Sequence, residues 1–364
     1  MRLAKALGCL VVLLLLAAIA AGAAAWWAWA SFDRPFGAGE VVVVVEPGTD
    51  AGTILERLEA RGVVADARLA RAYLVYVLGD PPIHAGEYRF ELPLTTLQVL
   101  DQMVRGDVVL HRVTVVEGLT LEETAEALAT ADFGELDAFL AAMRDPSAVA
   151  DLDPEAETLE GYLFPETYAF QRGTSERQIV AKMVETFRRR FAEEVRPLLE
   201  GDWTLRELVT LASIVEKEAK VEAERRLIAA VYANRLTAGM GLYADPTIIY
   251  ALKRQGTWDG NLTREHLAWD SPYNTYRHAG LPPGPIASPG LGSLRAAADP
   301  ADAPYLYFVS RNDGSHVFAE TLAEHNANVQ RWQKEYWRQR WAEERAGRQA
   351  APEEKKPDAS PPSD

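Results

Sequence analysis

Glu216 and Glu218 stand two residues apart in Leu211-Ala212-Ser213-Ile214-Val215-Glu216-Lys217-Glu218-Ala219, a mostly apolar stretch. A carboxyl group set among apolar side chains is costly to ionise, because desolvation disfavours its charged form. Such a group keeps its proton nearer to neutral pH and can serve as a general acid. Upstream, Thr204-Leu205-Arg206-Glu207 has the spacing of a capping box, which predicts that a helix starts there. At about 100° per residue, Leu208, Leu211, Ala212, Val215 and Ala219 share one face, and Thr210, Ser213 and Lys217 lie opposite. Glu216 and Glu218 flank this apolar arc roughly 160° apart, so they cannot both enter one site. Periodicity does not choose between them. It equally allows both to be half-exposed partners in ordinary salt bridges.

Three further groups have chemistry to offer. Asp245-Pro246-Thr247 reads either as a second carboxylate, which would suit hydrolysis with two acids, or as a helix start with Asp as N-cap and Pro at the first helical position. We take the cap as the simpler reading, with Asp245 lining the cleft. The loop Tyr273-Asn274-Thr275-Tyr276 offers aromatic faces and amide hydrogen bonds, which suit sugar rings and acetamido groups; the alternative is a packed polar turn. The six His residues, at 84, 111, 266, 278, 316 and 325, are scattered. None has a paired metal-ligand spacing, so no metal site is expected. His316 is a candidate for the cleft, with a structural role as the alternative. No Gly-rich phosphate loop or Ser-His-Asp order stands out, and no cofactor is expected.

These groups need a scaffold, and composition bounds it. A chain of 364 residues with 48% hydrophobic residues can fill two or more domains. Its formal charge of −15 argues against a nucleic-acid partner, since phosphate binding wants a basic surface. One Cys, Cys9, excludes intramolecular disulfides. Residues 6–30 carry no charge and are long enough to span a ~30 Å hydrocarbon core. Arg2 and Lys5 precede them, which predicts a cytoplasmic stub at residues 1–5. Trp26, Trp27 and Trp29 cluster at the far end, as an interfacial belt would. A cleaved signal peptide is the competing reading, since Ala21-Gly22-Ala23 invites cleavage. The length of the run and the three Trp favour an anchor, with the rest of the chain extracytoplasmic.

Beyond a Pro/Gly linker at 31–40, Val41–Val45 is a β-branched run and predicts a strand. A polar turn and a short helix with Ile54, Leu55 and Leu58 follow, stopped by Gly62. The same arrangement recurs loosely from Tyr88 to Gly106 and from Val113 to Leu128. Such strand–turn–helix units resemble the small sugar-binding LysM module, here placed within residues 31–150. The Asp/Pro-rich stretch 145–158 looks like a boundary. Helices are expected over 179–194 and 223–236, a buried strand over 305–309 with Tyr305, Tyr307 and Val309 on one face, and a charged helix over 321–346. The tail from 347 to 364 is low in apolar residues and should be disordered. The fold class expected is α+β.

Six stretches in order resemble a known family, the endolytic murein transglycosylases (MltG/YceG-like). They are Leu159–Tyr168, Ala212–Glu218, Asn234–Tyr250 with its Asp245-Pro246-Thr247, Ser271–Tyr276, Gly280–Ile286, and Tyr305–Val309 with His325-Asn326. The resemblance implies a helix-rich α+β transglycosylase domain over residues 155–340. It also implies that Glu218, the second Glu of Glu-Lys-Glu, is the catalytic acid, and that Glu216 is a structural neighbour. Asp245, Tyr273, Asn274, Thr275, Tyr276 and His316 would line the substrate cleft. The implied reaction cuts the β-1,4 bond between N-acetylmuramic acid and N-acetylglucosamine in glycan strands, leaving 1,6-anhydro ends. The implied setting is a single-pass protein of the inner membrane, N-terminus cytoplasmic and catalytic domain periplasmic, with peptidoglycan synthases as partners. A water-using muramidase and a non-catalytic peptidoglycan-binding scaffold are the rival functions.

Overall fold

The computed structural model describes residues 2–32 and 34–350. It is an α+β chain in which helices dominate and, among the described residues, each of the three sheets has two strands. The chain divides into two compact units, one of residues 1–113 with 168–175, the other of residues 114–167 with 176–364.

The first unit opens with α1 (Arg2–Phe32). Among the described residues no helix is long and apolar enough to cross a membrane. In α1 the side chains of residues 2–7, 9, 25, 28 and 31 lie outside those described, so part of the expected span 6–30 and all of the stub 1–5 fall outside them. Next, β1 (Phe36–Val45) pairs antiparallel with β2 (Gly86–Leu94), with Val41 opposite Phe90 and Val43 opposite Tyr88. Strand alternation turns Val43, Val45, Tyr88 and Phe90 inward. Helices α2 (Ala51–Ala60), α3 (Ala67–Tyr76) and α4 (Thr96–Arg105) cover that face with Leu55, Leu58, Leu74, Leu100 and Met103. Asp50 and Asp66 cap α2 and α3, and Thr95 with Gln98 forms a capping box on α4. Gly106 ends α4 with φ 72°, a left-handed turn that glycine adopts without penalty. Short strands β3 (His111–Thr114) and β4 (Thr167–Phe170) make the second sheet. The first two strand–turn–helix pieces therefore share this unit, whereas the helix of the third belongs to the second.

The second unit holds α5 (Leu121–Thr130), α6 (Leu136–Met143), α7 (Glu176–Arg190), α8 (Leu205–Glu218), α9 (Arg225–Thr237), α10 (Asp245–Gln255), α11 (Arg264–Ala268) and α12 (Leu291–Ala298). The third sheet pairs β5 (Tyr307–Ser310) with β6 (His316–Ala319), and α13 (Leu322–Val329) and α14 (Tyr336–Ala350) follow, joined by a π-helical stretch at Gln330–Glu335. The expected strand thus starts at Tyr307, and Tyr305 precedes it. The start of the tail expected to be disordered, 347–350, continues α14; the remainder lies outside the described residues.

At the centre is α8. The capping box is present: Thr204 Oγ1 accepts from Glu207 N at 3.2 Å, and Thr204 N donates to Glu207 Oε2 at 2.9 Å. The one-sided burial expected from the helical wheel is not what is found. Every residue from Leu208 to Val215 is buried, Thr210 and Ser213 included, because α9, α10 and α12 all pack on α8. Ser213 is tolerated there because its Oγ donates to Thr210 O at 2.7 Å and accepts from Ile286 N at 3.0 Å.

Candidate active site

Glu218 is the last residue of α8. The partial negative charge at a helix C-terminus works against a carboxylate there. Burial and the charge of Asp245 act in the same direction and push Glu218 up to about 7. Its opposing contacts are weak. The Tyr232 hydroxyl donates to Glu218 Oε1 at 3.3 Å, and the Arg235 charge favours the carboxylate from further away. As a whole residue Glu218 is half-buried.

Tyr232 and Arg235 lie one turn apart on α9 and are both buried. Burial and Glu218 hold the Tyr232 phenol well above its usual range, so it remains an O–H donor. Arg235 donates to the carbonyls of Leu306 and Leu242, each at 2.6 Å, and its guanidinium lies over the Tyr243 and Tyr307 rings at 5.9 and 5.4 Å. Among the described residues it has no carboxylate within salt-bridge distance, so its charge is available to the cleft.

Glu216 is placed differently. Its Oε2 meets Arg225 Nη1 at 3.0 Å and accepts from Gly290 N at 3.0 Å. Arg225 also reaches Glu222 at 2.6 Å and Glu117 at 3.6 Å. Glu216 is thus tied into an ion-pair network, with its side chain buried. A side chain at Gly290 would run into the Glu117 carboxylate, whose oxygen would lie 2.0 Å from the added Cβ.

Asp245 is not the N-cap expected from sequence. Ala244 holds the cap position and Asp245 is the first helical residue, with Pro246 beside it. No side-chain cap is needed there, because Pro246 has no N–H to satisfy and Thr247 N donates to Ala244 O at 3.1 Å, while Ala244 N itself donates to Thr275 Oγ1 at 3.0 Å. That side chain is exposed and accepts from the Tyr276 hydroxyl at 2.5 Å.

The Tyr273–Tyr276 loop divides its roles. Tyr276 joins Glu218 and Asp245, which with burial push its phenol above the usual range. Asn274 and Thr275 are buried braces. Asn274 Nδ2 donates to the carbonyls of Leu267 and Trp269, its Oδ1 accepts from Tyr276 N, and Thr275 Oγ1 meets Thr247 Oγ1 at 3.0 Å. Tyr273 turns to a separate small cavity, against Tyr250 at 5.1 Å and beneath Arg254. His316 Nδ1 pairs with Glu224 Oε2 at 2.8 Å, and its ring packs on Phe308, which in turn packs on Tyr232.

Three residues at the centre escaped the sequence reading of the site: Tyr232, Arg235 and Tyr243. Tyr243 is half-exposed at 51%, has φ 51°, and tilts against Tyr276 at 5.4 Å. A left-handed backbone at a bulky residue is strained, and such strain concentrates at functional sites. Gly241 makes room for it, since an added Cβ would lie 2.9 Å from the Tyr243 ring. Its position two residues before Asp245 was the available signal. A fourth, Glu160, lies in the cavity that Tyr273 faces. Burial pushes it up to about 8, its Oε2 accepts from Leu121 N at 3.1 Å, and its Oε1 has no hydrogen-bond partner among the described residues. Among the described residues no group of three or more His, Cys, Asp or Glu side chains gathers in a way that could hold a metal ion.

The chain is 31% identical over 302 residues to an endolytic murein transglycosylase of Bacillus subtilis (strain 168), covering 79% of this chain and 83% of that one. It is 30% identical over 321 residues to an endolytic murein transglycosylase of Streptococcus pneumoniae (strain D39), covering 79% of this chain and 58% of that one. A crystal structure of a yceG-like protein from Listeria monocytogenes superposes with a TM-score of 0.54 at 34% identity, covering 79% of this chain and 98% of the other. The sequence profile of the YceG-like family runs through both units, matching residues 43–331, and with these relatives it establishes that the chain belongs to the YceG-like family.

Proposed function

We propose that this protein is a peptidoglycan lytic transglycosylase that cuts glycan strands internally, with Glu218 as its acid and base. The observation that carries the reading is the carboxyl of Glu218, held up to about 7 beside a cleft and without a salt-bridge partner among the described residues. Near neutral pH a large fraction of it is protonated, as a general acid requires.

In the reaction, the Glu218 carboxyl gives its proton to the glycosidic oxygen as the bond from that oxygen to the muramyl C1 breaks. The oxygen leaves as the C4 hydroxyl of N-acetylglucosamine. The muramyl C6 oxygen then bonds to C1, and its proton passes to the Glu218 carboxylate. Glu218 is restored, no water is consumed, and the new end is a 1,6-anhydro sugar. Because the nucleophile belongs to the substrate, it needs no second carboxylate to activate it. Tyr232 fixes Oε1 by its hydrogen bond and leaves Oε2 for proton transfer. Asp245, held by Tyr276, raises the proton affinity of Glu218, and Arg235 moderates that effect. Tyr243 and Tyr276 offer ring faces to the sugars, Asn274 and Thr275 hold the loop, and His316 supports Tyr232 through Phe308, while Tyr273 faces the separate cavity.

The anchor belongs to the same proposal. The described apolar side chains of α1 from Leu10 to Trp29 are exposed, among them Leu13 at 63%, Ile19 at 67% and Trp26 at 73%, which suits contact with lipid, while Phe32 at its end is buried. We place the N-terminus in the cytoplasm, the catalytic region over 155–340 in the periplasm, and a LysM-like sugar-binding region within 31–150. Nascent glycan is the substrate and peptidoglycan synthases are partners. The hydrolytic rival, a muramidase, draws support from Asp245 standing close enough to act on Glu218.

Glu218→Gln tests the acid. The amide keeps the shape and can neither give nor take the proton. Cleavage of purified glycan strands should fall by about 10²–10⁴-fold or more with the circular dichroism spectrum unchanged. Near-native turnover of this variant, with Glu216→Gln inactive, would reverse the assignment.

A further inference from the structure

The second unit contains another open cleft, of about 530 Å³, near the start of α8. Trp203, Asp202, Arg206, Thr210, Leu236 and Leu281 line it. Its volume lies in the range of ligand-binding clefts. The same three segments that frame Glu218 also build this cleft. Thr210 is eight residues before Glu218 on α8, about 12 Å along the axis. Leu236 follows Arg235 on α9. Leu281 lies five residues after Tyr276 in the loop.

The lining has two characters. Trp203, Leu236 and Leu281 supply apolar surface, with the Trp203 ring half-exposed. Asp202 is exposed and has an acceptor carboxylate, and the buried Thr210 Oγ1 has no hydrogen-bond partner among the described residues. A pyranose has the matching surface: C–H groups on its faces and hydroxyls around its edge. The local charge selects further. Arg206 is already engaged, with Nε on Asp153 at 3.1 Å and Nη1 on the Pro283 carbonyl at 2.6 Å. The carboxylates of Asp202 and Glu207 therefore dominate the rim, and they disfavour a ligand carrying its own carboxylate.

We propose that this cleft is a distal glycan subsite that binds a neutral N-acetylglucosamine residue of the strand whose distant bond lies at Glu218. The inference rests on the transglycosylase reading. It accounts for an internal cut: a strand held some 12 Å from the acid places a bond within its length, not its end, at Glu218.

Trp203 has a competing duty, since it precedes the N-cap Thr204 and can pack on the buried Leu208 as a hydrophobic staple. The test separates the two. Full-length protein is compared as wild type, Trp203→Ala, Trp203→Phe and Asp202→Ala on long glycan strands and on minimal fragments too short to reach both sites. The subsite predicts that Trp203→Ala raises KM on long strands about tenfold more than on fragments. Trp203→Phe should recover most of that loss, and the surface variant Asp202→Ala should show a smaller rise with unchanged Tm. In the Glu218→Gln background, titration calorimetry with tetra-N-acetylchitotetraose should weaken about tenfold on adding Trp203→Ala. Equal losses on both substrates with a lowered Tm, or unchanged KM and affinity in Trp203→Ala and Asp202→Ala, would overturn the subsite. Full activity of Glu218→Gln would instead defeat the catalytic reading on which it stands.

Discussion

Glu216 and Glu218 leave the same helix two residues apart and enter opposite surroundings. Glu216 meets a guanidinium at 3.0 Å and a backbone amide at 3.0 Å. Glu218 meets one phenol at 3.3 Å and faces the like charge of Asp245. Both are removed from bulk water. What separates them is compensation: a buried carboxylate supplied with a cation becomes a structural tie, and one denied a cation keeps its proton. The helix end sharpens the contrast, because Glu218 sits where the backbone carbonyls are unpaired.

The largest stability effect should follow from removing the compensation. Arg225→Met leaves Glu216 buried without its cation and should cost about 3–5 kcal/mol, read by denaturant unfolding. Glu216→Gln should cost less, since the amide oxygen can still accept from Gly290 N. A milder loss in Arg225→Met than in Glu216→Gln would contradict the account of this network.

At Glu218 the sign reverses. Its proton affinity is higher in the folded state, about 7 against an ordinary 4.5. The folded state therefore binds more protons between those values, and wild-type stability falls as pH rises through that window. Glu218→Gln removes the penalty. Its Tm should match wild type near pH 4, exceed it increasingly up to pH ~7, and hold a constant excess above. A Tm difference that does not change with pH would show that Glu218 is not desolvated.

Two smaller shifts probe the neighbours. Activity needs the protonated acid, so kcat/KM should decline as pH rises through the Glu218 titration. Asp245→Asn removes a charge that raises this value and should move the alkaline limb to lower pH. Tyr232→Phe removes a hydrogen bond that favours the carboxylate and should move the limb slightly the other way. Both shifts in one direction would break the assignment of the two groups.

Much of the scaffold was legible because its signals are local. Thr204 with Glu207 announced the start of α8, the Val41–Val45 run announced a strand, and Gly106 stopped its helix. The arrangement around the acid was less so. The periodic wheel gave α8 one buried face, while three packed neighbours buried it all round. Asp245-Pro246 has the composition of a cap, yet Ala244 holds that position, its N–H anchored on the hydroxyl of Thr275 thirty-one residues away. Tyr232 and Arg235 come from α9 and Tyr243 from a strained turn, so their convergence on Glu218 is a tertiary fact with no periodic trace. Asn274 and Tyr276 stand two residues apart in sequence yet one braces the loop and the other reaches the cleft. The unaided residue pattern could not choose between Glu216 and Glu218, since the choice depends on Arg225 and Gly290.

The most direct test is to digest purified glycan strands with the full-length protein in ¹⁸O-labelled water and to identify the new ends by mass spectrometry. A carboxyl that acts alone as acid and base, with the C6 hydroxyl as nucleophile, predicts 1,6-anhydro ends free of the label. Reducing ends carrying ¹⁸O would show that water attacks C1, and would move the protein to two-carboxylate hydrolysis with Asp245 beside Glu218.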